Sequence, residues 1–332
     1  MLSSLLSIAA SSLLLPVLTS AAPLARRDEK GPVITTDFPD PAIIKVDNTW
    51  YAFGTQSAFD YKDIKIQVAT SADFDSWSIV QGKDAVGKLP SWVNATDPLV
   101  WAPDVIQRDD GSFLMYFSAS VADNNKYHCV GTATSGSIEG PYDSNSDTPF
   151  ACPTDQGGAI DASGFRDSDG TRYVLYKIDA NANGNGGTCG NTEGTIQSTP
   201  IMIQQVQEDG VSKIGGATQL ITNGPDDGPL VEAPSMMKAE DGTFVLFFSS
   251  NCYETTNYDV AYATSNSPTS GFVKQPPLFV TGTNGLIGPG GASIATDGTH
   301  MAFHGYASQS DVGASRAMYV ATISVSGGKV SF

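Results

Sequence analysis

Three carboxyl groups share one local setting. Asp40 precedes PAII, Asp161 opens DASGF and Glu232 opens EAPSMM, so each acid heads an apolar, strand-like run. Taken singly, Asp40 reads as an Asp-Pro turn residue and Glu232 as a solvated strand end. Brought together by a fold, carboxylates cannot all ionise at their ordinary pKa, and at least one is expected to be raised. One protonated acid beside one ionised base is the equipment for glycosidic bond hydrolysis: the acid protonates the leaving oxygen and the base activates water. The segment WAPDV adds Trp101 and Asp104 at a similar point of another run, both expected to contact substrate. Trp101 offers an aromatic wall to a sugar face, with burial in the core as the alternative.

The elements that would gather these residues are internal repeats. Apolar segment, polar turn, apolar segment recurs as PAIIKVDNTWYAFGT from Pro41, APDVIQRDDGSFLMYFS from Ala102 and DASGFRDSDGTRYVLYK from Asp161. Two further copies are EAPSMMKAEDGTFVLFFS from Glu232 and GGASIATDGTHMAFHGY from Gly290. The turns fall at Asp47-Asn48, Asp110-Gly111, Asp169-Gly170, Asp241-Gly242 and Asp297-Gly298, pairs that tolerate positive φ and signal hairpins. A third apolar run follows: IQVATS ending at Ser71, VGTATS at Ser135, VAYATS at Ser265 and MYVATI at Ile323, with the third copy diverging to PIMIQQVQEDG from Pro200. Units of roughly sixty residues hold about four strands each, the size of a propeller blade. The sequence therefore predicts an all-β, five-bladed β-propeller over residues 28–332. In that fold the heads of the innermost strands meet near one end of a central channel.

Composition agrees. Lysine and arginine number 18 against 35 aspartates and glutamates, a net charge of −17 that disfavours nucleic acid and membrane-surface partners. With 34 Gly and 19 Pro the chain is turn-rich, unlike a helical bundle. The apolar stretch at residues 1–21 reads as a signal peptide despite its uncharged start, and residues 22–27 as a propeptide ending at the dibasic Arg26-Arg27. A secreted, extracellular protein is expected. In an oxidising compartment Cys129, Cys152, Cys189 and Cys252 form disulfides, of which we expect Cys129–Cys152 and Cys189–Cys252. A segment rich in Asn, Gly and Thr, about Asp179 to Thr199, is a long loop that Cys189 would pin.

The motifs TTDFPDPAIIKVDNTWYAFGT, VWAPDV, GGAIDASGFRDSDG and VEAPSMMK resemble those of glycoside hydrolase family 43, in its secreted fungal type, over essentially all of residues 28–332. The resemblance implies a five-bladed propeller and an inverting mechanism on arabinosides and xylosides. It makes Asp40 the general base, Glu232 the general acid, and Asp161 the residue that raises the glutamate's pKa and orients it. An inverting pair needs about 6.5–9.5 Å between acid and base to admit water. By the same likeness Arg316 approaches the hydroxyls of the bound sugar; a plain ion pair is the alternative. The expected activity is release of L-arabinofuranose from arabinan or arabinoxylan, with β-xylosidase and endo-arabinanase as alternatives within the family. The partner is then an arabinose- or xylose-containing polysaccharide or oligosaccharide, met by a monomer. A sugar-binding propeller without activity is the reading from another class.

One motif departs. Many relatives carry a histidine in GPGH near the channel axis, often tied to calcium or sodium, whereas this chain has Gly288-Pro289-Gly290-Gly291. No cofactor is expected to be required, and no axial metal is assigned. GKDAVGKL from Gly82 nearly matches a phosphate loop but ends in Leu89 where Ser or Thr should bind magnesium. No G-x-S-x-G elbow occurs, and His300 and His304 on one strand would lie roughly 13 Å apart, too far to share an ion.

Overall fold

The computed structural model describes residues 29–144 and 146–332; the expected leader and propeptide lie outside the described residues. Strand β1 (Glu29–Ile34) comes first among the described residues but is the outermost strand of the last blade. Blade one is β2 (Ala42–Val46), β3 (Thr49–Gly54), β4 (Gln67–Ser71) and β5 (Ser78–Ile79). Blade two is β6 (Trp101–Gln107), β7 (Phe113–Val121) and β8 (Asn124–Ser135), with single bridges to Asp143 and Ala151 along its outer edge. Blade three is β9 (Ala159–Arg166), β10 (Arg172–Ile178), β11 (Ile201–Val206) and β12 (Thr218–Ile221). Blade four is β13 (Val231–Lys238), β14 (Phe244–Ser250), β15 (Ala261–Ser265) and β16 (Val273–Lys274). Blade five is β17 (Gly290–Ile294), β18 (His300–Gly305) and β19 (Ala317–Thr322), closed by β1 through Lys30 opposite Val320. A small hairpin, β20 (Ser324–Ser326) and β21 (Lys329–Ser331), follows.

The five-bladed propeller expected from the repeats is the observed fold, and the turns sit where the Asp-Gly and Asp-Asn pairs place them. Val46 pairs Thr49 across the two-residue turn Asp47-Asn48, with Asp47 at φ +53°. In blade two the Gly111 amide, at φ +85°, donates to the Arg108 carbonyl while the Arg108 amide donates to Ser112. The same pair of bonds recurs at Asp167 and Thr171, at Ala239 and Thr243, and at Ala295 and His300.

Burial follows from alternation along the second strands, which are apolar on both faces. In β7, Phe113, Met115 and Phe117 pack toward blade one, while Leu114 and Tyr116 pack toward blade three. The buried hydrophobic residues form five clusters, one at each junction between neighbouring blades, the last joining Ile43 and Trp50 of blade one to Met318 and Val320 of blade five. Both expected disulfides are present, Cys129–Cys152 and Cys189–Cys252.

The head of every inner strand carries one residue in the left-handed region: Asp40 (φ +49°), Ala102 (+42°), Asp161 (+58°), Ala233 (+53°) and Gly291 (+60°). For a residue with a side chain this conformation is uncommon, and it persists where surrounding contacts over-determine it. Here the contacts come from the preceding blade. The residue before each left-handed position faces Thr55, Ser118, Lys177, Ser249 or His304 across its own sheet. Four of those five side chains accept the left-handed amide hydrogen of the next blade. Ala102 donates to Thr55 Oγ1 at 2.8 Å, Asp161 to Ser118 Oγ at 3.0 Å, Gly291 to Ser249 Oγ at 2.9 Å and Asp40 to His304 Nδ1 at 3.1 Å. Lys177 is the exception, because an ammonium has no lone pair to offer. The Ala233 amide donates instead to Asp161 Oδ2 at 2.9 Å.

Candidate active site

This ring decides where the acids point. Asp40 and Asp161 are themselves left-handed residues, so their side chains project from the ring, whereas Glu232 stands one residue before Ala233, the position held by Trp101 in blade two. The three acids thus come from two positions of the repeat, where the sequence suggested a single one. They nevertheless line one cavity of about 660 Å³ together with Trp101, Lys177 and Arg316.

Asp104 goes elsewhere. Two residues beyond Ala102, it lies down the central channel and accepts the Gly164 amide of blade three at 2.8 Å. Ser235 and Ser293 occupy the same position in their blades and cap Ile294 and Ile43 at 3.1 and 3.2 Å. Burial raises the Asp104 pKa to about 6, against the pull of the Gly164 and Val105 amides. Asp104, expected to contact substrate, instead bonds two blades together and does not line the three-acid cavity.

Around Asp40, burial pushes the carboxyl pKa up, but the Arg316 charge above all, with the Thr55 hydroxyl bond, overcomes that and holds it well below the ordinary range. The Arg316 guanidinium lies 3.3 Å from Asp40 Oδ1, and the Thr55 hydroxyl donates to Oδ2 at 2.7 Å. His304 Nδ1 accepts the Asp40 amide hydrogen and so carries no proton of its own; burial also pushes this imidazole below its usual pKa. Arg316 is therefore the charge that keeps Asp40 ionised. It is itself fixed by main-chain bonds to Asp37 and Phe38 and lies over the Tyr253 ring, 4.7 Å from its centre. The Asp40 side chain keeps 23% of its surface exposed, enough to meet a water.

Across the cavity, Glu232 is nearly enclosed. Oε2 takes the Lys177 ammonium at 2.9 Å and Oε1 the Tyr258 hydroxyl at 2.8 Å. Lys177 is fully buried and also reaches Asp179 at 3.0 Å. Burial disfavours its charge, but Glu232, Asp179 and Asp161 outweigh the loss, and the lysine pKa lies above its ordinary value. One cation against three carboxyls leaves excess negative charge, which a retained proton relieves. The sequence assigns the upward shift to the glutamate; in the structure Asp161 carries it, raised by burial, then by the charges of Glu232 and Asp40.

Trp101 stacks on His128 with ring centres 3.6 Å apart and planes 14° from parallel, leaving its other face to the cavity. Burial pushes the His128 pKa down to about 4, so the ring stays neutral and apolar enough to back the indole. The long loop contributes Asp179, Asn181 and Cys189 to the cavity wall. It is anchored by the Cys189–Cys252 disulfide and by the buried Asn191, whose amide donates to the Gln197 and Pro229 carbonyls.

The GPGG segment has a packing reason. A Cβ on Gly290 would lie 2.0 Å from the Tyr258 ring, and one on Gly291 would lie 2.7 Å from His304. Tyr258 and His304, stacked 5.6 Å apart, fill the space an axial side chain would take. His304 commits Nδ1 to Asp40 and keeps one buried, unpartnered nitrogen. Among the described residues the trio of donors close enough to share an ion is Cys189, Cys252 and Glu254, and both cysteines are bonded to each other. These residues do not fit a protein-ligated axial cation, and no step is derived through one.

Lys177, Tyr258 and His128 escaped the sequence reading. Lys177 left a usable signal: it interrupts the apolar strand RYVLYKI where the equivalent strands carry serine in FLMYFSAS and FVLFFSS.

The model of the family described as glycosyl hydrolases family 43 matches residues 30–326. Extracellular endo-alpha-(1->5)-L-arabinanase 1 of Bacillus subtilis is 25% identical over 282 residues, covering 80% of this chain and 79% of that protein. The extracellular endo-alpha-(1->5)-L-arabinanase of Thermotoga petrophila is 36% identical over 115 residues, but the match spans 31% of this chain and only 22% of the length of that relative. Among solved structures, a thermostable family-43 glycoside hydrolase superposes with a TM-score of 0.73 at 23% identity, covering 89% of this chain and 92% of that one. With a match that runs across all five blades, the chain belongs to glycosyl hydrolase family 43.

Proposed function

We propose that this chain is a secreted, inverting hydrolase of α-1,5-linked L-arabinan. The observation that carries the reading is the opposed treatment of carboxyls in one cavity. Asp40 is held ionised by Arg316, while burial and then the charge of Glu232 push the Asp161 carboxyl above its ordinary range. Asp40 takes a proton from water as the water oxygen attacks the anomeric carbon. The bond to the leaving oxygen breaks, and Glu232 gives that oxygen its proton. Return of the Asp40 proton to solvent and reprotonation of Glu232 restore the enzyme.

Chain-internal cleavage is favoured over removal of single arabinose units. The cavity falls within the range of about 300–1,000 Å³ that takes ligands of several rings, more than one five-carbon sugar needs. The Bacillus relative aligned over most of both chains bears an endo-arabinanase name. Two disulfides and the leader-like start support export. Digestion of linear 1,5-arabinan should yield a ladder of short oligomers. Arabinose alone would establish end-directed release, and no product would overturn the arabinan reading and turn attention to xylo-oligosaccharides.

Trp101, free on one face, stacks against a sugar ring in this reading. Trp101→Ala should raise KM for arabinan about tenfold and change kcat less, since a stacked ring contributes about 0.5–1.5 kcal/mol. An unchanged KM would make Trp101 part of the packing around His128 only.

A further inference from the structure

The place where the ring of amide caps breaks is the place where the acid stands. In four blades the residue at this position accepts an amide hydrogen and carries no positive charge: Thr55, Ser118, Ser249 and neutral His304. Blade three puts a fully buried lysine there. This has two effects at once. Lys177 grips Glu232 Oε2 from the side, fixing the carboxyl between the ammonium and the Tyr258 hydroxyl. Because Lys177 cannot cap Ala233, the Asp161 carboxylate does so, which draws it to the residue next to Glu232.

We propose that Lys177 is a positioning residue that aims Glu232 and, as the buried cation beside Asp161 and Glu232, sets the alkaline limit of the activity. The proposal rests on the acid role of Glu232. The charged and titratable groups around the lysine are Asp161 on β9, Asp179 just beyond β10, Glu232 on β13 and Tyr258 ahead of β15. Asp40 with Arg316 and His304 faces them across the cavity, whose rim also carries Asp37, Lys62, Tyr253 and Glu254, and His128 on β8 lies beyond Asp179. Among these, Arg316 is tied to Asp40, and His128 and His304 are neutral. Lys177 is thus the cation that the acid pair feels directly.

The sign follows. A neighbouring cation favours loss of the proton, so removing it makes the pair hold on longer. Lys177→Met should move the alkaline limb of the kcat/KM profile to higher pH by about one to two units, since an opposite charge at this range shifts a carboxyl by about one to three. The acidic limb, governed by Asp40 and Arg316, should stay in place. Asp179→Asn removes a competitor for the same ammonium and should move the alkaline limb the other way. Lys177→Arg should keep the limb near its original position while lowering kcat through altered aim. Each profile is measured on whichever polysaccharide the wild-type enzyme cleaves.

Lys177→Met that folds and acts with an unmoved alkaline limb would overturn the proposal. If it does not fold, Asp179→Asn decides alone, and a limb that stays or moves upward would overturn it. Failure of the underlying reading is distinguishable, because Glu232→Gln would then retain activity on the polysaccharide. Loss of activity in Glu232→Gln beside unmoved limbs in the other variants would defeat the role of Lys177 alone.

Discussion

Asp40→Asn is expected to lower kcat by about 10³- to 10⁴-fold, the upper part of the range for loss of a general base. Asparagine keeps the size of the side chain and an oxygen for the Thr55 hydroxyl, but its amide cannot receive a proton from water. The loss should be equally large for arabinan and for a substrate with an activated leaving group, because water must be deprotonated in both. KM should change little, and calorimetric titration with arabino-oligosaccharide should still show binding. The native enzyme should keep its base working well below pH 4, because Arg316 must be overcome before Asp40 protonates. A variant that loses less than tenfold would remove Asp40 from the chemistry.

Glu232→Gln should behave differently, and the difference is the test. On arabinan, whose leaving group is an alkoxide unless protonated, activity should fall by at least about 10³-fold. On an arabinoside carrying dinitrophenolate, which departs without a proton, the loss should be under about tenfold. The alkaline limb of the pH profile should flatten at the same time. The substitution leaves Lys177 paired with Asp179, so no buried cation is stranded, and the fold should persist by circular dichroism. Equal losses on both substrates would show that Glu232 orients the sugar and does not protonate the leaving oxygen.

The blades were readable because their signals are local. A two-residue Asp-Asn turn or a left-handed Gly111 is visible in a few residues, and repetition multiplies a weak signal. The three acids were readable for the same reason, since each heads a repeat. What stayed hidden depends on neighbours across blades. Asp40, Ala102 and Ala233 all precede proline, a setting that favours extended backbone, yet all three are left-handed. Only the amide caps supplied from outside the segment hold them there, and no local rule contains those caps. The difference between Asp104 and Asp161 is likewise invisible in WAPDV and DASGF, because it depends on which side of the bulged residue the carboxyl falls. The raised pKa of Asp161 was hidden for the same reason, since it depends on burial and on the charges of Glu232 and Asp40 from other blades, opposed by Lys177.

The outermost strand of blade five is β1, the first described strand of the chain, and Asp40 follows it closely. Its amide binds His304 and its carboxylate Arg316, partners 264 and 276 residues away. A ribosome delivers Asp40 early and its counter-ion late. Contacts so distant in sequence form slowly, since a long chain segment must be closed before they can be made. Until blade five docks against β1, Asp40 has neither the guanidinium that keeps it ionised nor the imidazole that holds its backbone. The event that closes the circle of blades is therefore also the event that completes the surroundings of Asp40, the group proposed to activate water.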